Sequence, residues 1–265
     1  MGQKRTRDDE GGALEQLLGV PTEAFFEDHW ETSPLVCRGG AGRGALDGLP
    51  DWDTLLGLLD CASTIVVLKD QHPTTEYESV ASAYLDGCSV IVNHLERSCE
   101  AVRSLCQRLR HDVPHCFGNL YLTPPQAQAV DAHADDRDVI VLQLAGSKRW
   151  RVWSVPPVVR PGPHEQVGKN GRAVPEAVMD SAPLCVTLSA GDALYMPRGF
   201  VHEACTDETC ASLHLTLALP TDDWSWASLV EAAMTSVPQL GSNLLLSLSW
   251  IRTSSLASAG FEPPP

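Results

Sequence analysis

The sequence predicts a mainly β fold with flanking helices, an antiparallel sandwich or jelly roll. Three observations carry this. From residue 116 onward, short β-rich runs follow one another: "FGNLYLTP", "DVIVLQL", "KRWRVW", "LCVTL", "ALYMP" and "SLHLTLAL". Gly, Pro and Asp clusters separate them, as turns require. Two of the runs alternate polar and apolar residues with period two, the mark of a strand with two different faces.

The elements follow in order. Residues 1–12, "MGQKRTRDDEGG", read as a disordered tail. Met1-Gly2 with Thr6 fits a myristoylation pattern, but the pattern is short and these residues read as a solvated tail. In 13–30, Leu14, Leu17 and Leu18 and then Phe25 and Phe26 fall at helical spacing, with Pro21-Thr22 starting a second helical turn. "TIVVLKD" (64–70) and "SVIVNH" (89–94) read as short buried strands. "ERSCEAVRSLCQRLRH" (96–111) repeats apolar positions at three and four, giving an amphipathic helix.

After the β runs, Pro156–Pro183 is too long for a hairpin turn and reads as an excursion at the rim, where substrate contacts often lie. "DDWSWASLVEAAMTSV" returns to a helix with Asp222 or Asp223 as N-cap, and "GSNLLLSLSWIR" adds a second. The expected organisation is a tail (1–12), a main domain (13–220) and a C-terminal helical segment (221–265).

Composition bounds the function. The 265 residues carry a formal charge of −15, which argues against direct nucleic-acid binding and fits a basic protein partner. No run of about 18 apolar residues is present to span a membrane, and the N-terminus lacks the apolar stretch of a secretory signal. The nine cysteines include no CxxC, which fits reduced thiols in an intracellular chain. His202, Cys205 and Cys210 have no second Cys pair to complete a zinc site.

The chemistry starts at "HADD". On a strand, residues i and i+2 point to one face, so His133 and Asp135 can meet one ion. The third candidate is His202 in "GDALYMPRGFVHEA", after a strand and a Gly-containing turn. Two histidines and one carboxylate form the facial triad of non-haem Fe(II) oxygenases, which leaves coordination positions open. Asp136 points to the other face.

The flanks carry a resemblance. "FFEDHWETSPLVCR" (25–38), "NLYLTPPQAQAVDAHADD" (119–136), "VLQLAGSKRWRVW" (141–153), "SAGDALYMPRGFVHEA" (189–204) and "SLHLTLAL" (212–219) resemble successive segments of the JmjC-type 2-oxoglutarate oxygenases. They are nearest those of the ribosomal oxygenases, a family of bifunctional lysine demethylases and histidyl hydroxylases. The resemblance covers roughly residues 14–230. It implies a double-stranded β-helix, the cupin-like jelly roll, with Fe(II) held by His133, Asp135 and His202. The 141–153 segment corresponds to a family hairpin.

The cosubstrate 2-oxoglutarate needs a cation at the far end of its pocket. Alternation puts Lys148, Trp150 and Val152 on one face and Arg149 and Arg151 on the other, solvent-facing one. Lys148 also matches the family's cosubstrate lysine. Asn119, Tyr121 and Thr216 are the expected pocket residues around 2-oxoglutarate, with His214 beside them and the alternating leucines turned toward the helices.

By resemblance the activity is a protein hydroxylase acting on a histidine or arginine side chain of a basic ribosomal protein, in the nucleus, nucleolus or cytoplasm. Histone N-methyl-lysine demethylation and a catalytically silent binding module are the alternatives. Family members continue into a helical dimerisation module and a winged-helix domain. Only one or two helices of the first have room here, so a homodimer is an open expectation.

Overall fold

The computed structural model describes residues 12–39, 46–62, 64–163, 165–169 and 172–220, together with Val230. The chain divides into Met1–Thr221 and Asp222–Pro265, and the first unit holds the sheet. The expected tail up to residue 11 and the C-terminal helices lie outside the described residues.

The described residues form ten strands: β1 Leu35–Cys37, β2 Ile65–Lys69, β3 His72–Thr74, β4 Ser89–Val92, β5 Phe117–Thr123, β6 Asp138–Val152, β7 Leu184–Ser189, β8 Ala193–Met196, β9 His202–Cys205 and β10 Ser212–Leu219. Helices α1 (Ala13–Leu18), α2 (Thr22–Asp28), α3 (Leu55–Cys61), α4 (Val80–Leu85), α5 (Glu100–Leu109) and α6 (Glu176–Met179) accompany them. The strand order is β1-β8-β6-β10-β5-β4-β2-β3, with β7 and β9 also paired to β6.

β6 organises this arrangement. Its first half, through Leu142, lies between β8 and β10, and its second half, from Ser147, lies between β7 and β9. The expected hairpin at 141–153 is therefore one continuous strand that leaves one sheet and enters the other. The physical cause is Gly146, at φ +66°, where a Cβ would lie 1.9 Å from the Ala211 carbonyl oxygen. β10 answers with a bulge between Leu213 and His214.

Alternation then sorts the core. Ile140 and Leu142 join Leu120, Leu122, Leu213, Leu215 and Leu217 on the outer face, against Leu14, Leu17, Val102, Leu105 and Leu109 of α1 and α5. Val139 and Val141 face inward and meet Trp150, Val152, Val186 and Leu188 of the second sheet. Truncating one such buried leucine to alanine costs about 2–5 kcal/mol. The result is the jelly roll, two antiparallel sheets facing each other with helices outside. α5 starts only at Glu100, because a 3-10 turn at Leu95–Arg97 precedes it. There the Glu96 carboxylate accepts the Gly118 amide at 3.0 Å.

All nine cysteines are free thiols. No helix of the described residues is long and apolar enough to cross a membrane.

Candidate metal centre

Among the described residues, one group of side chains could hold a metal ion: His133, Asp135 and His202, whose ligand atoms lie within 4.8 Å of one another. His133 sits on an extended segment outside any named strand, joined to the first residue of β9 by an isolated bridge. His133 N–H donates to the His202 carbonyl at 3.0 Å, and His202 N–H returns the bond at 2.8 Å. This reciprocal pair brings two ligands from distant parts of the chain side by side. The Gly199 amide, in the turn before β9, donates to the Asp135 carbonyl at 2.9 Å and fixes the third.

The imidazoles are oriented as ligands. His133 Nδ1 lies 2.6 Å from the Asp131 carbonyl and His202 Nδ1 lies 3.0 Å from the Phe200 carbonyl. A carbonyl only accepts, so each Nδ1 carries the proton and each Nε2 is free to coordinate. The Nε2 atoms lie 3.8 and 3.7 Å from the two Asp135 oxygens. Burial lowers the pKa of both histidines, to about 3 for His133, keeping them neutral. Burial pushes the Asp135 carboxyl up, but Lys169 and the two histidines outweigh it and hold the group below the usual range. Two neutral nitrogens and one carboxylate suit a divalent cation such as Fe(II). The donor set fits the metal that the sequence implies.

The centre opens on a cavity of about 360 Å³. Asn119, Tyr121, Lys148, His214 and Thr216, the residues expected around 2-oxoglutarate, all line it. Lys148 is 3% exposed, and burial pushes its ammonium pKa down to about 7. It has no carboxylate partner among the described residues; its Nζ donates to Thr123 Oγ1 at 2.9 Å. Arg149 and Arg151 are exposed on the opposite face, as alternation requires. The Asn119 Oδ1 accepts the His94 amide at 3.0 Å, which leaves the side-chain NH₂ for a ligand.

His214 stacks on Tyr121 with centroids 4.7 Å apart, and Trp150 meets its edge at 5.5 Å. The buried His214 Nδ1 and Trp150 Nε1 make no hydrogen bond within the protein. A buried ammonium without a counterion beside two unused polar atoms is the environment of a polar, anionic ligand such as a dicarboxylate.

Three features escape sequence reading. Thr123 ends β5 and holds Lys148, but nothing in "TPP" marks its hydroxyl for that role. Gln166 and Lys169 come from the Pro156–Pro183 excursion, which binds the ligand segment through Ala134 N–H and the Val167 carbonyl at 2.8 Å. Lys169 Nζ then donates to Asp135 Oδ1 at 2.8 Å. Asp136 is turned away from the triad and pairs with Arg137 at 2.8 Å. Cys205 accepts from Arg149 at 3.3 Å and is no part of a metal group, nor is Cys210.

The model of the JmjC domain matches residues 94–225. The bifunctional lysine-specific demethylase and histidyl-hydroxylase NO66 of Drosophila persimilis is 31% identical over 241 residues, covering 83% of this chain and 33% of that protein. Its Drosophila melanogaster counterpart is 36% identical over 244 residues, covering 83% and 35%. The chain thus spans about a third of the length of these relatives. Among solved structures, YcfD of Escherichia coli superposes with a TM-score of 0.63 at 23% identity, over 84% of this chain and 58% of that one. The ribosomal oxygenase YcfD in complex with cobalt and 2-oxoglutarate gives 0.60 at 22%, over 84% and 57%. At these identities the structures speak for the fold.

Proposed function

The chain belongs to the JmjC-domain family, and on that premise we propose that it is an Fe(II)- and 2-oxoglutarate-dependent dioxygenase that hydroxylates a histidine or arginine side chain of a basic ribosomal protein. The observation that carries this reading is the convergence of His133 Nε2, Asp135 and His202 Nε2 beside a buried Lys148 that lacks a carboxylate partner.

When bound, iron and 2-oxoglutarate supply oxidative decarboxylation to succinate and carbon dioxide, coupled to C–H hydroxylation. The protein supplies the rest. His133, Asp135 and His202 would hold the metal, and a set of three protein ligands would leave coordination positions open to others. Lys148 offers an ammonium to the cosubstrate's distal carboxylate, and Thr123 fixes that ammonium in place. Asn119, Tyr121 and Thr216 offer further polar contacts around it. Val139, Val141, Trp150 and Met196 wall the cavity with apolar surface, which excludes water and strengthens the charge pairing.

The fly relatives are named for demethylation and histidyl hydroxylation, and the bacterial structure for ribosomal oxygenation. The charge of −15 supports a basic protein as target. The test is incubation with Fe(II), 2-oxoglutarate and stripped ribosomal proteins, read by succinate formation and peptide mass spectrometry. Gain of one oxygen on a ribosomal peptide is the expected result. Loss of a methylene from methylated histone peptides would move the reading to demethylation. Metal loading without turnover would leave a silent jelly roll.

A further inference from the structure

The excursion between β6 and β7 carries a cation into the site. Its backbone lies directly against the ligand segment: a Cβ on Gly168, at φ +80°, would lie 2.3 Å from the Ala132 carbonyl oxygen and 2.7 Å from His133 Cα. The next residue, Lys169, reaches Asp135 Oδ1 at 2.8 Å. The Lys169 side chain is 32% exposed, whereas Lys148 in the same cavity is 3% exposed. Lys148 therefore marks the closed part of the cavity and Lys169 the open part, where a target side chain enters.

The charged residues lining the cavity are Asp135, Arg137, Lys148, Lys169 and Glu203. Both acids are engaged. Asp135 bonds Lys169 and faces the two histidines, and Glu203 pairs with Arg151. Each lining carboxylate already faces a cation, so neither presents an uncompensated negative charge to an incoming positive side chain. The aromatic residues of the lining do not make a cage for one either. Tyr121 and Trp150 are stacked on and edged against His214, and Phe117 lies under the Arg137 guanidinium, 5.7 Å from its ring centroid.

Resting on the oxygenase reading above, we propose that Lys169 is a specificity-determining residue that excludes positively charged target side chains. The hydroxylated residue is then one that enters uncharged, a neutral imidazole or a carboxamide rather than a guanidinium or a methylammonium. Like-charge repulsion at short range in a half-enclosed site opposes the cation, and Asp135, paired with Lys169, is not available to bond it.

The test uses protein loaded with Mn(II) and 2-oxoglutarate, with two small probes: propionamide, which is neutral, and ethylguanidinium. Electron paramagnetic resonance first reports whether Mn(II) is bound; lack of binding would defeat the oxygenase reading itself, before any probe is added. Relaxation of the probe protons by Mn(II) then reports entry. Wild type should relax propionamide about tenfold more strongly than ethylguanidinium, an effect reduced by partial solvent screening. Lys169→Gln should bring the two near equality, and Lys169→Glu should reverse the order. Equal relaxation of both probes by the wild type overturns the proposal. So does a wild-type preference that persists in both variants.

Discussion

Lys148 and Thr123 meet in the closed part of the cavity, where Nζ donates to Oγ1 across 2.9 Å and the two residues are 3% and 0% exposed. The lysine and its hydroxyl partner thus form one anchor. Thr123→Val keeps the shape and removes the acceptor. We expect it to weaken 2-oxoglutarate binding about tenfold, the scale of one hydrogen bond to a charged group. Lys148→Ala should weaken it about a hundredfold or more. Calorimetric titration of 2-oxoglutarate into Mn(II)-loaded protein checks both. Mn(II) affinity should be unchanged, and wild-type 2-oxoglutarate affinity in Lys148→Ala would show the anchor lies elsewhere.

The same lysine sets a pH dependence. Burial lowers its pKa from 10.5 to about 7. Between those values the unfolded chain binds the proton and the folded protein does not. Stability attributable to Lys148 therefore rises with pH across this window, and the burial penalty is present in full below it. Binding runs the other way, because the anchor needs the ammonium. As pH climbs above about 7, 2-oxoglutarate affinity should fall and binding should take up close to one proton. Titrations in buffers of different ionisation enthalpy measure that uptake. Lys148→Arg, which stays charged, should abolish the slope.

The triad makes a direct prediction. His133→Ala or His202→Ala should reduce Co(II) or Mn(II) affinity about a hundredfold and abolish turnover, since each removes one of three protein ligands. Visible absorption of the Co(II) protein checks the first, and succinate release the second. A Cys205→Ser or Cys210→Ser variant should bind metal like wild type, because neither thiol belongs to the group.

The limits of sequence reading follow a physical pattern. Strand alternation is a local rule, so the inward set of Lys148, Trp150 and Val152 and the exposed Arg149 and Arg151 are legible from residue order alone. The ligand pair His133 and Asp135 is legible for the same reason, although its segment forms only isolated bridges. Gly146 is visible as a punctuation mark. Whether it reverses the chain or bends it depends on which strands flank each half of β6, and that is decided by contacts at long range. Thr123 and Lys169 lie further from reach. Each earns its place through a partner 25 or 34 residues away, and a lone Thr or Lys has no periodicity to announce it.

A second network supports the triad from behind. Glu31 Oε1 lies 2.7 Å from Arg198 Nη2, and Arg198 is 6% exposed. The following amide, of Gly199, holds the Asp135 carbonyl at 2.9 Å. Glu31 precedes the stretch matched by the family model, so the 94–225 segment alone lacks this support. Glu31→Ala should lower Co(II) affinity about tenfold and alter the Co(II) absorption bands, with a loss of about 3 kcal/mol in stability from breaking a buried pair. Glu31→Gln, which preserves the hydrogen bond, should recover most of the metal affinity. An unchanged Co(II) spectrum with a lowered melting temperature would assign the pair to stability alone.

Gly146 gives the sharpest separation between backbone and site chemistry. It sits at φ +66° with a would-be Cβ 1.9 Å from the Ala211 carbonyl oxygen, a contact that neither backbone can absorb without moving. Gly146→Ala must therefore open the β6–β10 contact or flatten the bend. Lys148 lies two residues beyond the bend, while the three metal ligands are on other segments. The variant should thus lose about 2 kcal/mol or more of stability and bind 2-oxoglutarate poorly, yet still bind Co(II). Gly57→Ala is the control: it lies within α3 with nothing inside 4 Å of its would-be Cβ, and should stabilise the protein by about 0.5–1 kcal/mol. If Gly146→Ala loses metal and 2-oxoglutarate together, the bend supports the whole cavity rather than the Lys148 end of it.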